Sequence, residues 1–321
     1  MAVFTTVSKS DLDALLSAYD IGGAETLKGI AEGVQNSNFF LTTAQSKFVL
    51  TLYEPAVKTE DLPFFLNLMQ HLSQRGIRCP LPVSRRDGGL LSEVANRPAA
   101  IVTFLTGTGL RAPHANHCAE AGAGLAHLHR AGSDFNMSRE NDLGQTRWQS
   151  FYAPNAARAN EVMPSLASEI ELELVRIAEN WPSDLPSGII HADLFPDNAF
   201  FSDHKLTGII DFYFACHDFY AYDLAICLNA WCFEADMTFN LTKARAMINA
   251  YHKVRPLSSR ELEQLPLLCT GASMRFLLTR LHDWLNRVDG ALVNTKDPVQ
   301  YLRRLRFHKN ARSAADYGVD V

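Results

Sequence analysis

Two short polar segments, each placed directly after an apolar strand-like run, constrain the fold of this chain more than any other feature. The first is "GIIHADLFPDNAFF" (188–201), in which His, two Asp and an Asn lie between two apolar runs. The second is "KLTGIIDF" (205–212), in which Asp211 follows the apolar run. Either segment alone could be an ordinary polar turn, because Asp and Asn are favoured in turns. Together they predict strands joined by a tight hairpin, with Asn198 and Asp211 side by side at one end.

The side chains that this hairpin would bring together have the chemistry of a magnesium site. The amide oxygen of Asn198 and the carboxylate of Asp211 are hard oxygen ligands of the kind that Mg²⁺ prefers. Asp193 lies slightly upstream on the same loop and could accept a proton from a hydroxyl group. We therefore predict a site that combines a divalent metal with a general base.

The remaining sequence predicts an α+β protein in two parts. Residues 1–105 are rich in strand patterns, with two strands in 37–55 and two more in 90–107, for an antiparallel sheet of about five strands. A helix is expected over 59–76, between these pairs. Residues 106–321 consist mostly of apolar and amphipathic helices. We predict an N-terminal sheet lobe with one helix and a larger, mainly helical C-terminal lobe.

Charge and cysteine usage argue against several classes of partner. The chain has 30 Lys and Arg against 35 Asp and Glu, a net charge of -5, so no basic surface for nucleic acid or an anionic membrane is expected. No apolar run approaches the length of about 18 residues that a membrane helix requires. The six cysteines form no CxxC pair, as in a reduced cytosolic protein. We expect a cytoplasmic protein that acts on a small molecule.

The two polar segments resemble the catalytic signature of the protein-kinase-like fold, in the variant used by aminoglycoside phosphotransferases, choline kinases and related small-molecule kinases. His191-Ala192-Asp193 and Asn198 stand at the catalytic-loop positions, and Ile210-Asp211-Phe212 stands at the metal-binding position. The resemblance implies that Asp193 is the general base and that Asn198 and Asp211 hold the Mg²⁺ that bridges the phosphates of ATP. It also implies that His191 braces the loop and takes no part in the reaction.

Four segments outside the shared loop carry a second resemblance, namely "GVQNSNFFLTT" (33–43), "KFVLTLYE" (47–54), "RGIRCPLPV" (75–83) and "DLAICLNAWCF" (223–233). With these segments the chain resembles bacterial homoserine kinases of the aminoglycoside-phosphotransferase-like type along nearly its full length. The resemblance implies the reaction ATP + L-homoserine → ADP + O-phospho-L-homoserine, a step toward threonine. Two alternatives remain: a kinase of the same fold that acts on choline, ethanolamine, a sugar or an aminoglycoside, and a catalytically silent nucleotide-binding module.

The predicted nucleotide site departs from the pattern of the fold at one position. The fold places a lysine in its third strand, where this chain has Thr51. Lys47, four residues earlier, could reach the phosphates instead, or the 33–38 turn could donate backbone N–H groups to them. The chain just before Gly107 could pair an adenine ring through its backbone. The predicted nucleotide contacts are Gly33, Asn36, Lys47, Phe104 and Leu105.

A zwitterionic amino-acid substrate needs a cation for its carboxylate and an acid or carbonyl group for its ammonium. Arg275 and Arg280 lie in an otherwise apolar helix, where an arginine is costly to bury unless it meets an anion. Either could instead pair with an acid such as Asp223 or reach solvent, which is the interpretation that we favour for Arg280. Asp223 is expected to cap the helix that begins at "YDLA". We predict Arg275 and Asp218 as substrate-binding residues, with Asp193 as a second group for the ammonium.

Overall fold

The computed structural model describes residues 5–30, 36–55, 57–287 and 295–319. None of the helices in these ranges is long and apolar enough to cross a membrane. The helices are α1 (Lys9–Leu16), α2 (Leu62–Gln74), α3 (Ala115–Ala131), α4 (Trp148–Tyr152), α5 (Leu166–Asn180), α6 (Tyr220–Trp231), α7 (Leu241–Val254), α8 (Ser259–Leu285) and α9 (Val299–Asn310). The strands are β1 (Ala24–Gly29), β2 (Asn36–Thr43), β3 (Lys47–Tyr53), β4 (Ser92–Val94), β5 (Arg97–Thr103), β6 (Ser187–Ile190), β7 (Ala199–Ser202), β8 (Lys205–Ile209) and β9 (Cys216–Phe219).

The first five strands form one antiparallel sheet in the order β1-β2-β3-β5-β4. Strands β2 and β3 are neighbours in sequence and in the sheet, with Leu41 opposite Phe48. Successive side chains of a strand point to opposite faces of the sheet, so Phe39 and Leu41 of β2 are buried while Phe40 between them is exposed. The predicted strand pair in 37–55, the pair in 90–107 and the five-stranded sheet are therefore confirmed.

Helices α1 and α2 bury apolar side chains at helical spacing. In α1, Leu12, Leu15 and Leu16 pack into the same core cluster as sheet residues such as Leu50. The helix predicted over 59–76 is confirmed as a 3-10 turn at Thr59–Asp61 followed directly by α2. The chain leaves α2 through Gly76, whose φ of +84° is readily adopted only by glycine.

The small residues of α3 allow a close helix contact in the C-terminal part. A Cβ added to Gly122 would lie 2.3 Å from the main-chain oxygen of Met247 in α7, which is too close for any side chain. Glycine at this position therefore lets the two helices approach each other. The helical pattern predicted beyond residue 106 is confirmed, although the short strands β6 to β9 also occur there.

Two compact units divide the chain, and each contains segments that are distant in sequence. Asp211 belongs to the first unit, whereas Asp193 and Asn198 belong to the second. The predicted division between residues 105 and 106 remains a proposal. The first unit comprises Met1–Gly107, Phe135–Met137 and Thr207–Tyr213, and the second comprises Thr108–Asp134, Ser138–Leu206 and Phe214–Val321.

The six cysteines are buried, and none is in a disulfide bond. Burial raises the pKa of the Cys79 thiol to about 12. Burial also raises the pKa of the thiols of Cys216 and Cys269 far above the ordinary value. The thiols therefore act as small apolar side chains in the interior.

Candidate active site

The polar segment after β6 folds into a tight loop within the second unit. Ala192 has a φ of +62°, in the left-handed region. The main-chain oxygen of Asp193 then accepts a hydrogen bond from the N–H of Phe195 at 2.8 Å, and the N–H of Asn198 donates to the Phe195 oxygen at 3.0 Å. Strand β7 begins at the next residue, Ala199. The predicted order of strand, polar loop and strand is confirmed.

Asn198 is bound to Asp193 through its amide nitrogen. Nδ2 donates to the main-chain oxygen of Asp193 at 2.9 Å and to its carboxylate Oδ2 at 3.3 Å. Because the nitrogen of the amide is turned toward Asp193, the oxygen Oδ1 points away from it and keeps its capacity as an acceptor. The loop thus presents a carboxylate beside an oriented amide oxygen.

Asp223, in the first turn of α6, fixes the beginning of this loop. Its Oδ2 accepts the N–H of His191 at 2.7 Å, and its Oδ1 accepts the N–H of Ala192 at 2.9 Å. Complete burial acts to raise the pKa of Asp223, but the hydrogen bond from His129 and the nearby charges hold it below the ordinary value. The prediction that Asp223 caps α6 is wrong, because Phe219 is the N-cap residue and Asp223 is directed to the loop.

Two further buried polar side chains support Asp223. His129 Nε2 lies 3.0 Å from Asp223 Oδ2, and its Nδ1 lies 2.8 Å from the hydroxyl of Tyr251. Burial lowers the pKa of His129, which favours the neutral imidazole. A neutral imidazole has one N–H donor and one acceptor, so it can donate to Asp223 and accept from Tyr251.

Arg275, from α8, reaches the same loop. Its side chain is 2% exposed, and Nη1 donates to the main-chain oxygen of Ala192. The guanidinium also lies 4.5 Å from the ring centre of Phe276 and 5.5 Å from that of Phe214. The structure therefore gives Arg275 a contact that braces the loop, while the predicted contact with a substrate carboxylate stays a prediction.

The side chains of His191 and Trp231 complete the support of the loop. The N–H of Asp193 donates to His191 Nδ1 at 3.2 Å, so the prediction that His191 braces the loop is confirmed. Trp231 Nε1 donates to the main-chain oxygen of Leu194 at 2.8 Å. Every one of these supports comes from the second unit, and they fix the backbone on both sides of Asp193.

Asp218, the predicted contact for an ammonium group, lies in β9 opposite Gly188 of β6. Its Oδ2 accepts a hydrogen bond from Asn141 Nδ2 at 2.7 Å, and its Oδ1 accepts the N–H of Phe219 at 2.7 Å. Burial raises the pKa of this carboxyl group. Its predicted role toward a substrate stays a prediction.

Asp211 follows β8 in the first unit and has a φ of +66°. Left-handed backbone is uncommon for residues other than glycine, and strained backbone of this kind concentrates at functional sites. Two residues later, Tyr213 lies edge-on to Tyr53 and Phe65, with its hydroxyl 3.3 Å from that of Tyr53. These aromatic contacts hold the segment that carries Asp211 within its unit.

Several polar residues of the first unit form hydrogen bonds within the sheet. Asn36 is buried, and its Oδ1 accepts the N–H of Glu54 at 3.4 Å. Thr51, at the position where the fold places a lysine, is buried and donates to Asn38 Oδ1 at 2.8 Å. Lys47, in contrast, is exposed at the beginning of β3.

The segment that follows β5 contains the other predicted nucleotide contacts. The N–H of Phe104 donates to the main-chain oxygen of Lys47 at 3.3 Å, and the Phe104 side chain is exposed. The side chain of Leu105 packs against Gly208, where an added Cβ would lie 2.8 Å away. Gly33 lies outside the residues that the structure describes. Nucleotide binding by these residues stays a prediction.

Comparison with known proteins identifies the family. Residues 26–257 match the model of the phosphotransferase enzyme family. The chain belongs to this family. It is 57% identical to a homoserine kinase of Xanthobacter autotrophicus over 99% of both chains, and 54% identical to a homoserine kinase of Chelativorans sp. over 100% of both chains.

Solved structures of other phosphotransferases share the fold at low sequence identity. An amicoumacin kinase in complex with AMP-PNP and Ca²⁺ superposes with a TM-score of 0.69 at 13% identity, over 96% of this chain and 94% of that chain. A microcompartment-associated aminopropanol kinase superposes with a TM-score of 0.65 at 16% identity, over 94% and 97%. The predicted kinase-like α+β fold, with an N-terminal antiparallel sheet and a mainly helical C-terminal part, is confirmed.

Sequence reasoning on this phosphotransferase missed the network of Asp223, His129 and Tyr251. One signal was present, because Asp223 lies within the apolar run "YDLAICL", where a charged residue must find a buried partner. A local rule, helix capping, offered a simpler explanation. The main-chain N–H groups that Asp223 actually binds, those of Ala192 and His191, lie 31 and 32 residues earlier in the chain.

Proposed function

We propose that this chain is a homoserine kinase, which transfers the γ-phosphoryl group of ATP to the hydroxyl of L-homoserine and so forms O-phospho-L-homoserine for threonine synthesis. The observation that carries the proposal is the 57% identity to the homoserine kinase of Xanthobacter autotrophicus over 99% of both chains. The similarity spans the β2–β3 hairpin and α6 as well as the loop. A cytoplasmic location belongs to the same proposal.

Asp193 is the proposed general base. Its carboxylate would accept the proton of the acceptor hydroxyl while the new O–P bond forms and the bond to the ADP leaving group breaks. Phosphoryl transfer depends on positioning and electrostatic stabilisation and requires no covalent enzyme intermediate. The contacts of Asn198, Asp223 and Arg275 with this loop suit that requirement, because they restrict where the carboxylate can lie.

Asn198 and Asp211 are the proposed residues for Mg²⁺. The donor set fits the ion, because both offer hard oxygen atoms and the amide nitrogen of Asn198 is already engaged by Asp193. When bound, the ion would neutralise charge on the phosphates of ATP. Asn198 has a second role, since its N–H groups orient the carboxylate of the base.

The remaining assignments are proposals of the same kind. Residues 1–105 would form the nucleotide-binding lobe, and residues 106–321 the lobe that carries the base and binds the substrate. Exposed Lys47 is the proposed cation near the phosphates, because the buried Thr51 has no charge to offer. The proposed contacts are Gly33, Asn36, Lys47, Phe104 and Leu105 for the nucleotide, and Arg275 and Asp218 for the substrate.

ADP release measured with a panel of acceptors tests the proposal. The panel contains L-homoserine, choline, ethanolamine and an aminoglycoside, with Mg²⁺ and ATP in every reaction. We expect kcat/KM for L-homoserine to exceed that for the others by at least about 100-fold, because a site with polar groups for the carboxylate and ammonium rejects acceptors that lack them. Asp193→Ala protein, purified in the same way, controls for contaminating kinases.

Each result of this panel has a clear meaning. Preference for choline or an aminoglycoside would replace homoserine as the acceptor while keeping the kinase assignment. Absence of turnover with every acceptor would favour a silent nucleotide-binding module.

A further inference from the structure

The guanidinium of Arg280, in α8, forms hydrogen bonds through only one of its three nitrogens. Nη1 donates to Gln300 Oε1 at 2.9 Å and to the main-chain oxygen of Asp297 at 3.2 Å. The guanidinium carbon lies 4.4 Å from the ring centre of Tyr301, as in a cation–π contact. Within the described residues, Nε and Nη2 make no hydrogen bond and Arg280 makes no salt bridge.

This arrangement leaves one edge of the guanidinium available to an anion. Nε and Nη2 carry two parallel N–H groups whose spacing matches the two oxygens of a carboxylate. The partners of Nη1 are an uncharged amide and an uncharged carbonyl, so they do not neutralise the half-buried cation. The Asp297 carboxylate, which lies nearby, accepts the N–H of Val299 at 2.8 Å. A bound anion would offset the cost of holding this charge partly out of water.

Aromatic rings connect Arg280 to the loop of Asp193. Tyr301 stacks on Phe276 with ring centres 5.1 Å apart, and Phe276 lies edge-on to Phe195, also at 5.1 Å. Phe195 follows Asp193 by two residues, and all of these residues belong to the second unit.

The charges of Arg280 and Asp193 both affect the hydroxyl of Tyr301. It is buried and has no hydrogen-bond partner within the described residues. Burial raises the pKa of Tyr301, the charges of Arg304 and Arg280 lower it, and the charge of Asp193 raises it further. Arg280 therefore contacts an aromatic cluster that extends, through Phe276 and Phe195, to the loop that carries Asp193.

We propose that Arg280 binds the carboxylate of the acceptor through Nε and Nη2, and that it thereby selects hydroxy amino acids over amino alcohols that lack a carboxylate. The inference rests on the proposed function and deepens it. Arg280 is more accessible than Arg275, because Arg275 is almost completely buried against the loop. The hydroxyl end of the same substrate would then face Asp193.

The test compares two acceptors that differ only in the carboxylate. L-homoserine carries it, and 3-aminopropan-1-ol is the same molecule without it. In Arg280→Gln we expect KM for L-homoserine to rise about 10- to 100-fold, as for a lost hydrogen-bonded charge pair. Kinetics with 3-aminopropan-1-ol should not change. Arg280→Lys, which keeps the charge and loses the planar fork, should give an intermediate KM.

Two further measurements separate recognition from folding. Arg303→Gln removes the same charge from an exposed position of α9 and should leave both acceptors unaffected. L-2-aminobutyrate, which is homoserine without its hydroxyl, should inhibit competitively, with a Ki that rises in Arg280→Gln by the same factor as KM. The Ki of L-2-aminobutyrate tests carboxylate recognition by Arg280 even if 3-aminopropan-1-ol reacts too slowly to follow.

The possible failures are distinguishable. If wild-type protein phosphorylates L-homoserine and Arg280→Gln shows an unchanged KM, the inference is wrong and the proposed function stands. An equal loss with both acceptors would also overturn the inference, because it would indicate a structural role. If wild-type protein does not phosphorylate L-homoserine, the proposed function and the inference both fail.

Discussion

The loop at residues 191–198 and the strands β2 and β3 use buried polar side chains in different ways. At the loop, Asp223 and Trp231 reach main-chain groups from α6, far away in sequence. In the strands, Thr51 of β3 donates to Asn38 of β2, and Asn36 of β2 accepts the N–H of Glu54, directly after β3. The loop depends on remote supports that determine the position of the proposed base, whereas the polar groups of the strands maintain the sheet itself.

The largest expected effect is that of Asp193→Ala, which removes the proposed base from an otherwise supported loop. We expect kcat with L-homoserine to fall on the order of 10²- to 10⁴-fold, because a positioned base contributes that much. KM for ATP and the thermal unfolding midpoint should change little. Asp197→Ala alters an exposed carboxylate of the same loop and serves as the matched control. An unchanged kcat in Asp193→Ala would remove Asp193 from this role.

Asp223→Ala should affect both stability and turnover. It leaves the N–H groups of His191 and Ala192 buried without their acceptor and breaks the contact with His129, so we expect the free energy of unfolding to fall by about 3–5 kcal/mol. In the protein that still folds, kcat should fall while KM for ATP stays constant. Urea titrations and steady-state kinetics measure the two effects.

Tyr251→Phe provides a graded comparison for Asp223. It removes only the hydroxyl that contacts His129 and leaves the contact between His129 and Asp223 in place. The expected loss of stability is therefore about 1 kcal/mol, with kcat nearly unchanged. A loss of kcat in Tyr251→Phe as large as that in Asp223→Ala would contradict the assignment of the loop contacts to Asp223.

His308 tests whether a buried polar group that does not contact the loop affects stability alone. It is fully buried in α9, with Nδ1 3.0 Å from the hydroxyl of Tyr317, and burial lowers its pKa to about 3. Between that value and the ordinary value near 6.5, the unfolded chain binds a proton that the folded chain does not. The free energy of unfolding should therefore decrease as the pH falls below about 6.5, by up to about 1.4 kcal/mol per pH unit.

His308→Phe should remove this contribution. Urea unfolding at pH 7.0 and 5.0 should show a smaller decrease in the variant, by about 2 kcal/mol, with wild-type kcat at pH 7.0. His127→Phe, at an exposed position of α3, is the control and should keep the wild-type pH dependence. Identical pH dependence in His308→Phe and wild type would show that His308 does not stay neutral in the folded state.

Thr51→Val in the sheet should have an effect as small as that of Tyr251→Phe. Valine keeps the shape and loses the hydrogen bond to Asn38, so stability should fall by about 1 kcal/mol while KM for ATP stays constant. Thr42→Val, on the neighbouring strand, is the control. A severalfold rise in KM for ATP caused by Thr51→Val alone would show that the comparison of the two regions is wrong, because a sheet residue would then act on the nucleotide.

Patterns of neighbouring residues made most of the fold predictable. The strand-type runs of β2 and β3 and the apolar spacing of α2 are local, and so is the order of strand, polar loop and strand around Asp193. The supports of the loop were not predictable in the same way, because Asp223, Trp231 and Arg275 meet it only after the chain has folded back. Sequence spacing predicts which carboxylate is the base, but it does not predict the distant residues that hold the loop around it.

The burial of all six cysteines makes site-specific labelling of this protein simple. A cysteine introduced at an exposed position would be the only thiol that a maleimide dye could reach in the folded protein, since the six natural ones are hidden. No natural cysteine would have to be replaced first. A fluorophore attached in this way would report movement at one chosen position, and the delayed labelling of the interior thiols would record how often the protein opens.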